Sequence, residues 1–194
     1  MKSKLFPLLG KIFIVISIYF IIELVDRAVY IFLAEHYYFD TKWKILRDTI
    51  TLMIFLFYSY KMKILTKDDL TISFKPLILA AIIVFLFLYI FTRSDPNQQY
   101  NTVQIFRAVS FSPIIEELIC RKLILSELNA NGYLVTGIVI STIVFVLLHF
   151  NFSLNGIIFF LIMNFILVGL QLKTNHIINN MLLHSFSNLL ILTL

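Results

Sequence analysis

Residues 154–172 read LNGIIFFLIMNFILVGLQL, a run of 19 residues without a charged side chain. A helix that crosses the hydrocarbon core of a bilayer needs about 20 largely apolar residues. Similar runs recur along the chain and predict spans at roughly 5–33, 43–60, 74–92, 104–128, 132–150, 154–172 and 175–193. An open sheet cannot span lipid, and these runs lack the alternation of a membrane barrel. The sequence therefore predicts an all-α, polytopic transmembrane helix bundle of about seven spans.

The composition supports a membrane protein. Of 194 residues, 60% are hydrophobic and only 14% are charged, and the mean hydropathy is +0.92. Soluble domains are typically about 45–50% apolar and about 25% charged. This balance excludes a water-soluble enzyme, a secreted disulfide scaffold and a disordered tail. Because no linker of domain-separating length interrupts the runs, we expect residues 1–194 to form a single membrane domain in the cell membrane.

The net charge of +5 comes from lysines that flank apolar runs, at the N-terminus and between Lys61 and Lys75. Cytoplasmic loops of membrane proteins carry such an excess, so the 61–75 loop is predicted to face the cytoplasm. No basic stripe alternates with aromatic residues, which argues against a nucleic-acid partner and leaves the lipid bilayer as the expected one. The first apolar run lacks a small-residue cleavage site and is expected to be an uncleaved span.

Three charged residues lie inside one predicted span, in the stretch SPIIEELICR at residues 112–121. Each charge at the centre of a membrane helix costs roughly 2.5–3.5 kcal/mol on insertion scales. Glu117 and Arg121 are four residues apart, so they lie on one helix face and can pair. Glu116 is rotated by about 100° from Glu117 and is left to face another group. The pattern predicts a structural Glu117 and a functional Glu116.

Two further polar groups occur deep in later apolar runs. His149 follows Phe145 by one helical turn, and His184 precedes Asn188 by one turn. A lone buried histidine is usually a packing residue, but these side chains and Glu116 together supply a general base, two imidazoles and an amide donor. Such groups activate water and stabilise an oxyanion.

The ordered motifs E-E-x-x-x-R, F-x-x-x-H and H-x-x-x-N resemble those of the CAAX protease and bacteriocin-processing family, also called Abi proteins. This family of intramembrane endopeptidases is related to the Ras-converting endopeptidases. The resemblance covers residues 104–194, the expected catalytic core. Thr174-Asn175 stands where many members have Thr-Gly, and asparagine tolerates the left-handed conformation that a helix-joining turn requires.

The resemblance implies a hydrolase that cleaves a peptide bond in a membrane-associated protein or peptide precursor. It assigns catalytic roles to Glu116, His149, His184 and Asn188, and supporting roles to Glu117, Arg121 and Phe145. Glu116 with His149 would activate water, and His184 with Asn188 would stabilise the oxyanion. Glu117 and Arg121 would hold the helix and orient Glu116. The resemblance implies no cofactor.

Other chemistries stay open on the residues alone. Glu116, His149 and His184 could hold a catalytic zinc ion, although the sequence has no H-E-x-x-H motif and Asn188 is better suited to donate a hydrogen bond. Cys120, the single cysteine, excludes an internal disulfide and a cysteine-based metal cluster. It lies one turn beyond Glu116, but a buried cysteine is more often a small apolar filler than a nucleophile.

Two non-enzymatic classes are also compatible with intramembrane charges. A bacteriocin self-immunity or membrane scaffold protein of the same family would not need Glu116, His149, His184 and Asn188 together. A transporter would usually show paired broken helices or an inverted repeat, and neither is evident in the sequence.

Overall fold

The computed structural model describes residues 2–34, 41–61, 65–91, 100, 102–149 and 151–193. Seven helices occur in these residues, and a short 3-10 turn lies at Asp68–Leu70. Their bounds are α1 Lys2–Ala34, α2 Thr41–Lys61, α3 Phe74–Phe91, α4 102–130, α5 Leu134–Leu148, α6 Leu154–Thr174 and α7 Ile177–Thr193. No strand is found in the described part of the chain. The all-α prediction is confirmed.

The helices match the predicted spans in position but not all in length. Two described segments, Leu5–Ile22 within α1 and Leu154–Thr174, are long and apolar enough to cross a membrane. Shorter apolar helices occupy Phe74–Ile90, Leu134–Leu148 and Ile177–Thr193. At 1.5 Å per residue the 15 residues of α5 extend about 22 Å, which is less than the roughly 30 Å of a hydrocarbon core.

The chain divides into two compact units, Met1–Arg47 and Asp48–Leu194. The first contains α1 and the beginning of α2. The second contains the rest of α2 and all of α3 to α7, including the expected catalytic core at 104–194. All the side chains discussed below belong to this second unit.

Helix α4 is continuous but not regular. Two π-helical segments, Arg107–Phe111 and Leu118–Ser126, flank the α-helical segment Ser112–Glu117 that carries both glutamates. Pro113 stands at the beginning of the α-helical segment, where it contributes no backbone N–H. Wider π-type turns often occur at functional sites.

Helices α5 and α7 enclose the middle of α4. α5 packs along the π-helical segment Leu118–Ser126, and α7 packs along the residues on either side of Pro113. Cys120, Ile124 and Leu125 of α4 are fully buried in this core. The charged residues of α4 therefore lie in the interior of the helix bundle rather than on its outer surface.

Polar side chains also join the helices within the bundle. Asn180 of α7 donates a hydrogen bond to Gln171 of α6 at 3.3 Å, and Gln171 donates to Ser126 of α4 at 3.2 Å. Asn164 of α6 donates to Thr142 of α5 at 2.8 Å. Such interhelical bonds hold membrane helices together where the hydrophobic effect between them is weak.

The connection between α6 and α7 is short and confirms the expected turn. Asn175 adopts a left-handed conformation with φ of 58° and ends α6. Two residues later α7 begins. Near the start of α7, Asn179 accepts a hydrogen bond at 2.9 Å from the backbone N–H of Ser73, which precedes α3. The beginning of α3 is thereby fixed against α7.

Candidate active site

Glu116 lies between the two histidines that the sequence singles out. Its Oε2 atom is 3.5 Å from Nε2 of His149 and 3.8 Å from Nε2 of His184. The three residues come from the middle of α4, the end of α5 and the middle of α7. Glu116 and His149 retain a small exposed fraction of 11% and 16%, whereas His184 keeps 3%. The cluster is therefore buried but not sealed on the side of Glu116 and His149.

Each imidazole is oriented by a second hydrogen bond on its other nitrogen. Nδ1 of His149 is 2.8 Å from the backbone carbonyl oxygen of Phe145. Since a carbonyl oxygen only accepts, this nitrogen carries the proton. Nδ1 of His184 is 2.9 Å from Oε1 of Glu117. Both rings are thus held with Nε2 turned toward Glu116, and this second bond fixes which nitrogen faces the site.

Glu117 and Arg121 form the ion pair that their spacing predicts. Nε of Arg121 is 3.1 Å from Oε2 of Glu117, and both side chains are fully buried. Arg121 also donates a hydrogen bond to Ser141 of α5 at 3.2 Å. Because Glu117 contacts His184 as well, it connects the guanidinium of α4 to an imidazole of α7. Glu117 therefore lies in the interior, and Glu116 faces the two histidines.

Aromatic rings frame the histidines. The ring of Phe145 lies 4.6 Å from that of His149 and 5.6 Å from that of His184, centroid to centroid. The guanidinium of Arg121 sits 4.7 Å from the Phe145 centroid, within the range of a cation–π contact. Phe160 of α6 covers His149, with ring centroids 3.9 Å apart. Phe145 thus contacts both histidines and Arg121, and Phe160 adds a contact to His149 that the sequence did not predict.

Asn188 lies one turn after His184 on α7, and its amide has a partner in α4. Its Nδ2 donates a hydrogen bond to the backbone carbonyl oxygen of Ala108 at 2.7 Å. Ser112 donates its N–H to the carbonyl of Arg107, five residues back. The same pattern would next pair residue 113 with Ala108, but residue 113 is a proline without N–H. Asn188 supplies the donor that the proline lacks.

Two ion pairs that were not predicted fix the surroundings of the cluster. Lys122, the residue after Arg121, contacts the buried Asp69 of the 3-10 turn at 2.6 Å. Asp69 also accepts hydrogen bonds from the backbone N–H and the hydroxyl of Thr66. In the first π-helical segment, Arg107 forms an ion pair with Asp48 of α2. These contacts tie both ends of the charged stretch of α4 to preceding parts of the chain.

Cys120 is fully buried and forms no disulfide. It follows Glu116 by four residues, yet its complete burial leaves no route for a substrate to its sulfur. This placement suits the small apolar filler that the sequence favours.

The sequence reasoning missed Phe160, Ser141, Asp69 and the carbonyl of Ala108. Phe160 gave no signal, since it is one of 20 phenylalanines. The carbonyl of Ala108 had a detectable signal, because a proline within a helical run always leaves one carbonyl without its usual donor.

A comparison with models of protein families gives a match over residues 98–190, described as "Type II CAAX prenyl endopeptidase Rce1-like". Neither the comparison with curated proteins nor the one with solved structures gives a match. The matched residues contain α4 to α6, most of α7 and every side chain of the cluster around Glu116. They also contain the three motifs that carry the resemblance. Residues 98–190 of this chain therefore match the model of the Rce1-like, type II CAAX prenyl endopeptidase family.

Proposed function

We propose that this protein is a multi-pass intramembrane endopeptidase of the CAAX type, which hydrolyses a peptide bond of a membrane-associated protein or peptide precursor. The family is generally proteolytic and embedded in membranes. The observation that carries the proposal is the approach of two imidazole Nε2 atoms to one carboxylate oxygen of Glu116, at 3.5 and 3.8 Å.

Glu116 and His149 together suit the activation of water. With its proton on Nδ1, a neutral His149 presents a lone pair on Nε2, and the Glu116 carboxylate presents another. A water molecule that donates to both acceptors turns its own lone pair toward a peptide carbonyl carbon. Glu116 takes the proton as the new C–O bond forms. General-base catalysis of this kind contributes about 10²–10⁴-fold to the rate.

His184 suits the stabilisation of the tetrahedral oxyanion. Its Nδ1–H donates to the ionised Glu117, and a protonated ring carries a second N–H on Nε2. The amide of Asn188 has two N–H groups, of which one serves Ala108 and the other is assigned to the oxyanion.

Collapse of the tetrahedral intermediate completes the reaction. The oxyanion electrons re-form the carbonyl, the C–N bond breaks, and the proton held by Glu116 passes to the departing amine. Glu116 is then a carboxylate again. Its small exposed fraction, and that of His149, leave this side of the cluster open to water and peptide.

The positions of Glu116, His149 and His184 would also suit a zinc ion. Oε2 of Glu116 and the two Nε2 atoms lie within 4.8 Å of one another, and tetrahedral N/O ligands at about 2.0–2.2 Å are separated by about 3.3–3.6 Å. The partners on both Nδ1 atoms resemble the outer contacts of zinc-binding histidines. Bound zinc would acidify a water molecule. Asn188 is better suited to donate a hydrogen bond than to bind a metal, so we prefer the reaction without metal.

Glu116→Gln tests the proposal because it keeps the shape of the side chain and removes the base. The purified protein is reconstituted in lipid vesicles and incubated with a prenylated CAAX peptide and with membrane-spanning precursor peptides, and the products are identified by mass spectrometry. We expect the unmodified protein to cleave a peptide, and Glu116→Gln to cleave it at least about a hundredfold more slowly. Glu127→Gln makes the same change later in α4 and should cleave normally.

Two outcomes would redirect the assignment. If Glu116→Gln cleaved as fast as the unmodified protein, the carboxylate would not be the base and the immunity or scaffold role would be preferred. If cleavage disappeared with a chelator and returned with added zinc, the metal-dependent reaction would replace the metal-free one.

A further inference from the structure

A separate cavity lies between α3 and α6, outside the cluster around Glu116. Its volume is about 540 Å³, within the range of about 300–1,000 Å³ that is usual for ligand sites. The lining is apolar except for two lysines. The lining residues on which the argument depends are Lys75, Leu79, Ile83, Phe165, Gly169 and Lys173.

The two lysines occupy the same end of this cavity. The helices run in opposite directions, since Lys75 lies at the beginning of α3 and Lys173 at the end of α6. Both side chains are exposed, and neither ammonium pairs with a carboxylate in the part of the chain that the structure describes. Two unpaired cations at the mouth of an apolar cavity are complementary to an anionic headgroup on a hydrocarbon chain.

The length of the cavity suits a lipid of one leaflet. Ile83 lies eight residues after Lys75 on α3, and Phe165 lies eight residues before Lys173 on α6. Eight helical residues extend about 12 Å at 1.5 Å per residue. Half of a hydrocarbon core is about 15 Å. Beyond this point the helices close on each other, where the rings of Phe87 and Phe159 stack at 5.4 Å.

The lysine end also lies at the membrane surface where anionic lipid is concentrated. Lys75 ends the lysine-rich 61–75 loop, which is predicted to face the cytoplasm. Ser73 of this loop is bonded to Asn179, which follows Lys173 across the short α6–α7 turn. Anionic lipids give the cytoplasmic leaflet its negative surface potential.

We propose that the cavity between α3 and α6 binds one anionic phospholipid of the cytoplasmic leaflet, with its phosphate between Lys75 and Lys173 and an acyl chain along Leu79, Ile83 and Phe165. The site requires insertion in the membrane but not proteolysis. Glu116→Gln should therefore bind lipid as the unmodified protein does, which separates a failure of this proposal from a failure of the proposed function.

Native mass spectrometry of the full chain in a mild detergent tests the site, with phosphatidylglycerol compared to phosphatidylcholine of identical acyl chains. Each lysine near a membrane surface is worth about fivefold in affinity. We expect one phosphatidylglycerol to bind about 25-fold more tightly, and Lys75→Gln/Lys173→Gln to lose this preference. Lys67→Gln removes an exposed lysine outside the cavity and should keep it.

A substitution at Gly169 tests the apolar lining of the cavity between α3 and α6. A side chain at Gly169 meets no atom within 4 Å of its Cβ, so Gly169→Leu fills the cavity without disturbing the fold and should weaken binding of both lipids. Equal affinity for the two lipids, an unchanged preference in the double lysine variant, or displacement by inorganic phosphate alone would overturn the proposal. If the unmodified protein instead formed a stable dimer that excluded lipid, the surface would be assigned to a second copy of the chain.

Discussion

Asn188 donates a hydrogen bond to the backbone carbonyl oxygen of Ala108, at 2.7 Å between Nδ2 and the oxygen. This carbonyl belongs to the residue five positions before Pro113. In a π-helical turn the N–H of residue 113 would be its donor, but a proline has no N–H. One side chain of α7 thus completes the backbone of α4 next to the segment that carries Glu116 and Glu117. In the proposed reaction Asn188 also donates to the oxyanion, so one side chain would serve both the chemistry and the contact between α4 and α7.

Asn188→Ala should therefore lower both stability and turnover. The carbonyl of Ala108 loses its donor, at a cost of about 1–3 kcal/mol, and the oxyanion loses a donor worth about 10²–10³-fold in turnover. Asn188→Asp should be worse, because a carboxylate repels both the carbonyl and the oxyanion. Thermal unfolding in detergent and peptide cleavage measure the two effects. Asn129→Ala, at an exposed position of α4, is the control. An unchanged unfolding temperature in Asn188→Ala would leave catalysis as the sole role.

Glu117→Gln should mainly reduce stability. The substitution leaves Arg121 fully buried without its carboxylate, and breaking a buried pair from one side costs about 3–5 kcal/mol. Glu117→Gln/Arg121→Gln removes both charges and should recover part of the abundance, but not cleavage, since His184 also loses its partner. Membrane abundance and thermal unfolding are measured against Glu127→Gln. Normal stability of the single variant would contradict the structural role of the pair.

Phe160→Leu should reduce turnover more than stability. Phe160 covers one side of the His149 ring at 3.9 Å between centroids, and a smaller side chain lets the ring tilt away from Glu116. A misplacement of about 1 Å can cost about a hundredfold in rate. Phe152→Leu changes an exposed phenylalanine of the α5–α6 loop and serves as the control. Equal cleavage by both variants would show that the hydrogen bond to Phe145 orients His149 without help from Phe160.

The orientation in the membrane is tested by cysteine labelling. Cys120 is first replaced by alanine, which removes the single native thiol. In Lys67→Cys the new thiol is in the loop predicted to face the cytoplasm. In Phe152→Cys it lies three spans further, after α3, α4 and α5, and should face outward. An impermeant reagent added to intact cells should label only Phe152→Cys. Labelling of Lys67→Cys instead would reverse the orientation.

The sequence predicted the cluster better than it predicted the helices that hold it. Spacing alone anticipated the pairing of Glu117 with Arg121, because residues four apart share a face in a regular helix and still meet in the π-helical turn. The three ordered motifs placed Glu116, His149 and His184 in one group, and the structure brings them within 4.8 Å. Polar residues in apolar runs are conspicuous, because their burial has to be compensated.

What the sequence did not predict depends on contacts between distant segments. The π-helical segments of α4 follow from its packing against α5 and α7, and local propensity does not distinguish them from an α-helix. The contact between Asp69 and Lys122 joins residues 53 apart, and no local sequence pattern distinguishes this buried aspartate from a solvated loop charge. The span predicted at 132–150 was longer than the helix Leu134–Leu148, because residues near its two ends, such as Gly132 and His149, form turns.

The Glu117–Arg121 pair lies within a single helix, and this has a consequence for biogenesis. While α4 enters the membrane during synthesis, its arginine already has a carboxylate one turn away, so the two charges can be inserted together before any later helix has been made. Glu116 lies beside the histidines of α5 and α7, which are synthesised after α4. The contacts of Glu116 with these histidines form only when α5 and α7 have joined the bundle, so the residue proposed as the base also contributes to assembly of the bundle.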